Sequence, residues 1–276
     1  TLSTGEFRTT STDPATLPYW SASNQPPSLV FAEGVFNFDG VSITGASTDS
    51  SAPIGETRLD GATVQVASST PVSADYFNIR SGLLDLNGGT LLVNPGASVT
   101  WSGGTIDGGG TIYIDAPDAL NAGGTLVLSA YSGNLLLGNI GIDNFGTINW
   151  LAGTVEQLAD STINNYGDFN IQPSSPYLSL GNNSSANPGS TFTTQFNNTG
   201  VLTQLTGYSI TLGSGTSFQY YDAATNQYLP QYGYFDLNND GLVDVQSGTM
   251  TLRGSSSPTL STGEFRTTST DPATLP

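Results

Sequence analysis

From residue 60 onward the chain alternates apolar and polar side chains in short runs. Val64-Gln65-Val66, Phe77-Asn78-Ile79, Leu84-Asp85-Leu86, Leu91-Leu92-Val93, Val99-Thr100-Trp101, Ile112-Tyr113-Ile114 and Leu126-Val127-Leu128 carry the beat. A period of two is that of a strand with one apolar face. Most runs are followed within a few residues by Gly or Asn, which tolerate positive φ and mark turns. Residues 19–60 hold similar pieces, Leu29-Val30-Phe31, Val35-Phe36-Asn37-Phe38 and Val41-Ser42-Ile43, separated by Pro- and Ser-rich turns at 24–28 and 50–53. No window sustains the i, i+3, i+4, i+7 stripe of a helix. The pattern predicts an all-β chain of strands three to five residues long. Strands that short do not hold an isolated hairpin sheet. They become stable when each stacks on its counterpart in the previous turn of a coil. The expected fold is therefore a right-handed parallel β-helix (β-solenoid) with short strands and irregular insertions. Ile148, Trp150, Phe169 and Ile171 are expected to point inward.

A degenerate repeat supports the coil. Ile142-Asp143-Asn144-Phe145-Gly146-Thr147-Ile148 recurs as Ile163-Asn164-Asn165-Tyr166-Gly167-Asp168-Phe169, as Phe196-Asn197-Asn198-Thr199-Gly200-Val201-Leu202, and as Leu237-Asn238-Asn239-Asp240-Gly241-Leu242-Val243. The shared form is apolar, Asp or Asn, Asn, any, Gly, any, apolar. The offsets of 21, 33 and 41 residues imply coils with unequal insertions. Asn and Gly are read here as a tight bend, with a strand starting after Gly.

A second repeat is complete. Residues 1–18, TLSTGEFRTTSTDPATLP, recur unchanged as residues 259–276. Identity over such a length is the signature of tandem units. Residues 1–258 are read as one unit and 259–276 as the start of the next, with Phe7 and Phe265 at the repeat junction. A duplicated tag is the competing explanation. Against it, Leu2, Phe7 and Leu17 are apolar anchors set among polar residues, and both copies join smoothly to their flanks. The array predicts that the two copies lie at opposite ends of a unit and that Phe7 and Phe265 make equivalent contacts.

Charge narrows the partners. With 22 acids against 5 basic residues, no His and a net charge of −17, the surface repels nucleic acid and anionic lipid. It attracts divalent cations instead. No apolar run reaches the roughly 20 residues of a membrane span, so membrane insertion is not expected. The absence of Cys is compatible with an exterior location. Without His or Lys, acid–base chemistry near neutral pH lacks its usual groups, and no enzyme is expected.

The stretches FNNTG (196–200), LNGGTLLV (86–93), TWSGGTIDGGGTIYI (100–114) and GLVDVQSGTMTLRG (241–254) resemble the glycine-rich rungs of very large bacterial surface proteins. They are similar to the filamentous-haemagglutinin and autotransporter-passenger class of β-helices. The resemblance covers residues 60–258 best. It implies export to the bacterial cell surface or the extracellular space, an elongated stalk or fibre, and adhesion or matrix function. It brings no catalytic residues.

Four chemistries have candidates, one of them glycosylation: Asn182-Asn183-Ser184, Asn183-Ser184-Ser185 and Asn197-Asn198-Thr199 fit the acceptor pattern, as chance alone would produce in an Asn- and Ser-rich chain. Asp236, Asn238, Asp240 and Asp244 fall at positions 1, 3, 5 and 9 of a loop with Gly241 at position 6, which matches the opening of a calcium loop. Ser247 stands at position 12, where such loops need a bidentate acid, and the same residues also read as the fourth Asn-Gly copy. Seven aromatic residues between Phe218 and Phe235, among them Tyr220, Tyr221 and Tyr232, form either a glycan-stacking platform or an insertion packed on the coil. Asp107, Asp115 and Asp118 are the densest acid cluster of the regular coils, and a hydrolase would need two such carboxylates about 5–10 Å apart on one face. A period of 258 residues holds about ten coils, on the order of 50 Å of length at a strand spacing of about 4.8 Å. Two readings follow: a structural repeat unit of an extracellular fibre or cell-surface filament joined end to end to adjacent copies, or an adhesin stalk whose aromatic insertion binds a glycan.

Overall fold

The computed structural model describes residues 2–3, 6–10, 28–46, 56–67, 69–172, 179–182, 191–222, 226–255 and 260–268. The described chain is all-β, with 24 strands and no helix. More than a third of the sequence is strand, as the alternation predicts. The acceptor-like triplets beginning at Asn182 and Asn183 lie largely outside the described residues, as do the Pro- and Ser-rich turns around 24–27 and 50–53.

The strands form three parallel stacks, here A, B and C. Stack A runs through Leu29, Thr57, Phe77, Val99, Leu126, Ile148, Phe169, Leu202, Val243 and Phe265, each paired with the next. Stack B runs through Phe36, Val64, Leu84, Ile106 and Leu137 to Gln157, and further through Val155, Leu180, Leu212 and Leu252. Stack C runs through Ile43, Ala74, Val93, Ile114, Asn144, Asn165, Asn198 and Asn239. The chain visits them in a fixed order, A then B then C, and each strand lies on its counterpart from the pass before. An antiparallel hairpin, Ser214–Asp222 against Gln227–Asn239, departs from this order.

The core follows from the alternation. Along most described strand segments alternate residues turn inward, and Ile148, Trp150, Phe169 and Ile171 are all buried. Ladders of like side chains form because parallel pairing in register puts equivalent positions directly above one another. The packed column from Phe31 to Val243 is one continuous cluster.

Many strands are longer than the sequence suggests. Glu56–Val66, Val72–Asp85, Thr90–Trp101, Thr125–Leu137 and Thr147–Gln157 each run through a corner, where the register of pairing shifts and then resumes on the next face. The glycines read as breakers are the reason. Gly61 and Gly82 take φ of 112° and 90°, and an ideal Cβ on Gly82 would stand 2.2 Å from the Ala62 carbonyl oxygen. Glycine lets the strand bend there and resume its pairing on the next face.

Candidate functional site

The four copies of the Asn-x-Gly motif stack at one corner, between stacks C and A. Their second asparagines are fully buried. Asn144 Nδ2 donates to Asn165 Oδ1, Asn165 Nδ2 to Asn198 Oδ1, and Asn198 Nδ2 to Asn239 Oδ1, each at 2.7 Å. The remaining hydrogen of each amide goes to a backbone carbonyl at the start of stack A: Asp168, Val201, Leu242 and Glu264, at 3.0–3.1 Å. These asparagines do not bend the chain through positive φ, which among non-glycine residues is confined to Asn87 and Asn226 in the described chain. The expectation of a turn-forming Asn is corrected: the side chain is a rung, and an amide serves because it donates and accepts along the same axis. The ladder stops where the column becomes Ile114, and Asn144 Oδ1 is left buried with no hydrogen-bond partner.

The motif glycines make the same corner tight. A Cβ on Gly146, Gly167, Gly200, Gly241 or Gly263 would lie 2.1–2.3 Å from the carbonyl oxygen of the glycine in the previous pass. Gly263 belongs to the second copy of the duplicated segment, which is therefore the fifth member of the corner. Ser261 takes the asparagine position, and its Oγ accepts from Asn239 N at 3.0 Å while Gly263 N donates to Asn239 O.

The two duplicated copies sit at opposite ends of the stacks. Leu2–Ser3 pairs with 37–38 in stack B, and Glu6–Thr10 with Ser42–Ala46 in stack C, both in the first described pass. Glu264–Thr267 pairs with Leu242–Val245 in stack A, the last pass. Phe265 is 53 % exposed. The pairings are not equivalent, contrary to the expectation for Phe7 and Phe265: Phe7 lies against Ile43 in stack C, Phe265 against Val243 in stack A. Both are inward register positions; the side chain of Phe7 lies outside the described residues. Arg266 fixes the second copy by pairing with Asp244 at 3.0 Å. That bond, with donations from Thr268 and Gln246, holds the buried Asp244 carboxyl down to about 2 against the opposing effect of burial.

The acids of the calcium-like loop are spread along this end. Asp236 is in stack C and accepts from Ser255 N and Oγ at 2.6 Å. Asp240 is exposed at the corner and accepts from Thr262 Oγ1 at 2.6 Å. Asp244 is in stack A, and Asn238 pairs with Asn197 on the outer side of stack C. Each carboxylate thus meets a partner in the segment that follows. Among the described residues no three acidic side chains are grouped as a metal site. The cluster at 107–118 also serves local turns. Asp107 accepts from Gly108 and Asn139 N–H, Asp115 from Ala116 N–H, and Asp118 from the N–H groups of Leu120 and Asn121, which lower its pKa. A lowered pKa is the opposite of what a general acid needs.

An open groove of 730 Å³ crosses the start of stack C, lined by Asn139, Asp160, Thr193, Gln195, Tyr234 and Asp236 among others. Its residues come from successive passes, so no local motif announces it. The hairpin continues directly into it: Tyr232 and Tyr234 pair with Thr191 and Thr193, and Tyr221 stands opposite Tyr228, Tyr220 opposite Leu229. The side chains of Tyr220, Tyr221 and Tyr232 lie outside the described residues. Comparison with known protein families, characterised proteins and solved structures finds no match.

Proposed function

We propose that residues 1–258 are one unit of a right-handed parallel β-helix, and that tandem units build an elongated extracellular fibre or filament on a bacterial surface. The fixed A, B, C order of parallel strands supports the helix, and the strong preference of parallel crossovers supplies its hand. The observation that carries the fibre is the complete repeat of eighteen residues, with its copies on opposite ends of the stacks. Each end is a row of unpaired backbone groups unless another unit covers it. The role is mechanical, and backbone hydrogen bonds run along the axis. Acidic faces keep neighbouring fibres apart or let divalent cations bridge them. The test is a chain of two and of four units examined by small-angle scattering. Each added unit should lengthen the particle by about 45 Å, nine passes at about 4.8 Å, at constant cross-section. Scattering of flexibly linked beads would overturn the reading.

The antiparallel hairpin favours a second reading, an adhesin stalk. It is the one departure from parallel order among the described strands, it carries Tyr220, Tyr221 and Tyr232, and it borders the groove. Binding to a glycan array, lost when these three tyrosines become Ala, would support it.

A further inference from the structure

The unequal placement of two identical segments fixes how units join. Leu2–Ser3 lies in stack B, whereas Ser261 caps the end of stack C, its Oγ accepting from Asn239 N while Gly263 N donates to Asn239 O. Glu6–Thr10 lies in stack C, whereas Glu264–Thr267 lies in stack A. Both pieces are displaced by one face, in the same sense. The chain between them therefore makes nine full passes and one face more. The inward phase of the register is kept: Ser3 pairs with buried Phe38 and Ser261 bonds to buried Asn239, while Phe7 and Phe265 pair with buried Ile43 and Val243. One sequence can thus finish one unit and start the next without reversing which side chains enter the core.

We infer that each unit in a tandem chain is rotated about the axis by one face, roughly a third of a turn, relative to the unit before it. This rests on the fibre reading above. Stack C then continues into the next unit's B, A into its C, and B into its A. The last of these makes a claim that the duplicated segment does not itself contain. Thr249–Leu252 pairs on one side only among the described residues, with Ser209–Leu212, and Ser28–Phe31 on one side only, with 56–59. The rotation brings these two edges together. Met250 and Leu252 end the inward column of stack B, where Leu252 is 38 % exposed. Leu29 and Phe31 of the following unit begin an inward column and continue it in phase. Exposed Phe265 is covered by Ile43 of the following unit in the same step. The occupant of this end is thus another copy of the chain, and the fibre repeats every third unit, after about 135 Å at a spacing of about 4.8 Å per pass.

The chain has no Cys, so engineered thiol pairs report the junction directly. In a two-unit chain, Thr251→Cys in the first unit is combined with Val30→Cys in the second. Both positions face outward and adjacent strands are within disulfide reach. Oxidation should consume both thiols. A second chain pairs Arg266→Cys, on the end of stack A, with the same Val30→Cys, the neighbours expected if each face continued in line. Its thiols should remain free. The reverse result overturns the rotation and leaves the fibre standing. Free thiols in both chains, with the two-unit chain melting no higher than one unit, overturn the fibre reading itself.

Discussion

The two halves of the core are built differently. Up to Leu128 the inward columns are almost wholly apolar, and Thr57 is the one buried polar side chain among the described residues there. From Ser129 onward Asn144, Gln157, Asn165, Thr194, Asn198, Gln204 and Asn239 are buried alongside Ile, Phe and Trp. Gln157 donates to Thr194 across the interior. An apolar column tolerates sliding and repacking, because dispersion and burial are nearly non-directional. An amide column does not, because every rung must meet its donor and acceptor or leave a buried polar group unpaired. The first half supplies burial; the second also fixes the register, and it does so next to the end where Ser261 and Gly263 continue the same corner.

The sharpest way to break that contrast is to change one position in each half of the same column. Asn165→Leu removes the acceptor of Asn144 and the donor to Asn198 and Val201. It should cost about 2–4 kcal/mol in urea unfolding, from several buried groups losing partners. Ile114→Val, in the apolar half of that column, should cost only about 0.5–1.5 kcal/mol. Equal costs would mean that the ladder adds nothing beyond burial.

A smaller effect separates two tryptophans that lie in one column of stack A. Trp150 Nε1 donates to Gly153 O at 3.1 Å, whereas Trp101 Nε1 is buried with no hydrogen-bond partner. Trp150→Phe should therefore be the more destabilising of the two Phe replacements, by about 1 kcal/mol. A costlier Trp101→Phe would refute the assignment.

The smallest effect is confined to the end of the second half. Asp244 titrates at about 2 in the folded chain, below its ordinary 3.8, chiefly because Arg266 donates to it. Its stabilising contribution is complete above 3.8 and is lost as pH falls toward 2. Amide exchange in Glu264–Thr267 should accelerate over that window, and Arg266→Ala should flatten the dependence. Acceleration that begins near neutral pH would point to another group.

Much of this was legible in the chain. Alternation marked the inward faces of Ile148, Trp150, Phe169 and Ile171, because side-chain direction in a strand depends on local parity alone. The Asn-x-Gly repeat was visible, but its chemistry was not. Whether Asn165 bends the chain or enters the core depends on Asn144 and Asn198 standing 21 and 33 residues away. Strand length is less legible, because Gly61 and Gly82 look like stops in the sequence whereas the strand bends at them, shifts register and resumes pairing. The spacing of Asp236, Asp240 and Asp244 suits a calcium loop only if the chain curls around an ion. Here it runs straight along stack C, turns, and runs along stack A, so the acids face different neighbours. The groove has no signature in the sequence, because its walls come from separate passes.

The glycine corner also dictates where a pass can change length. Two residues always separate the buried asparagine from the next strand: 145–146, 166–167, 199–200 and 240–241. In sequence, the extra residues that stretch the motif offsets from 21 to 33 and 41 fall outside this corner: between Ile171 and Thr194, between Gln204 and Leu212, and after Leu212. A foreign peptide grafted between residues 222 and 227 should leave the spacing of the array unchanged, whereas one added residue at 145–146 would throw every later pass out of step. The corner acts as a molecular ruler, and the length of a pass varies only outside it.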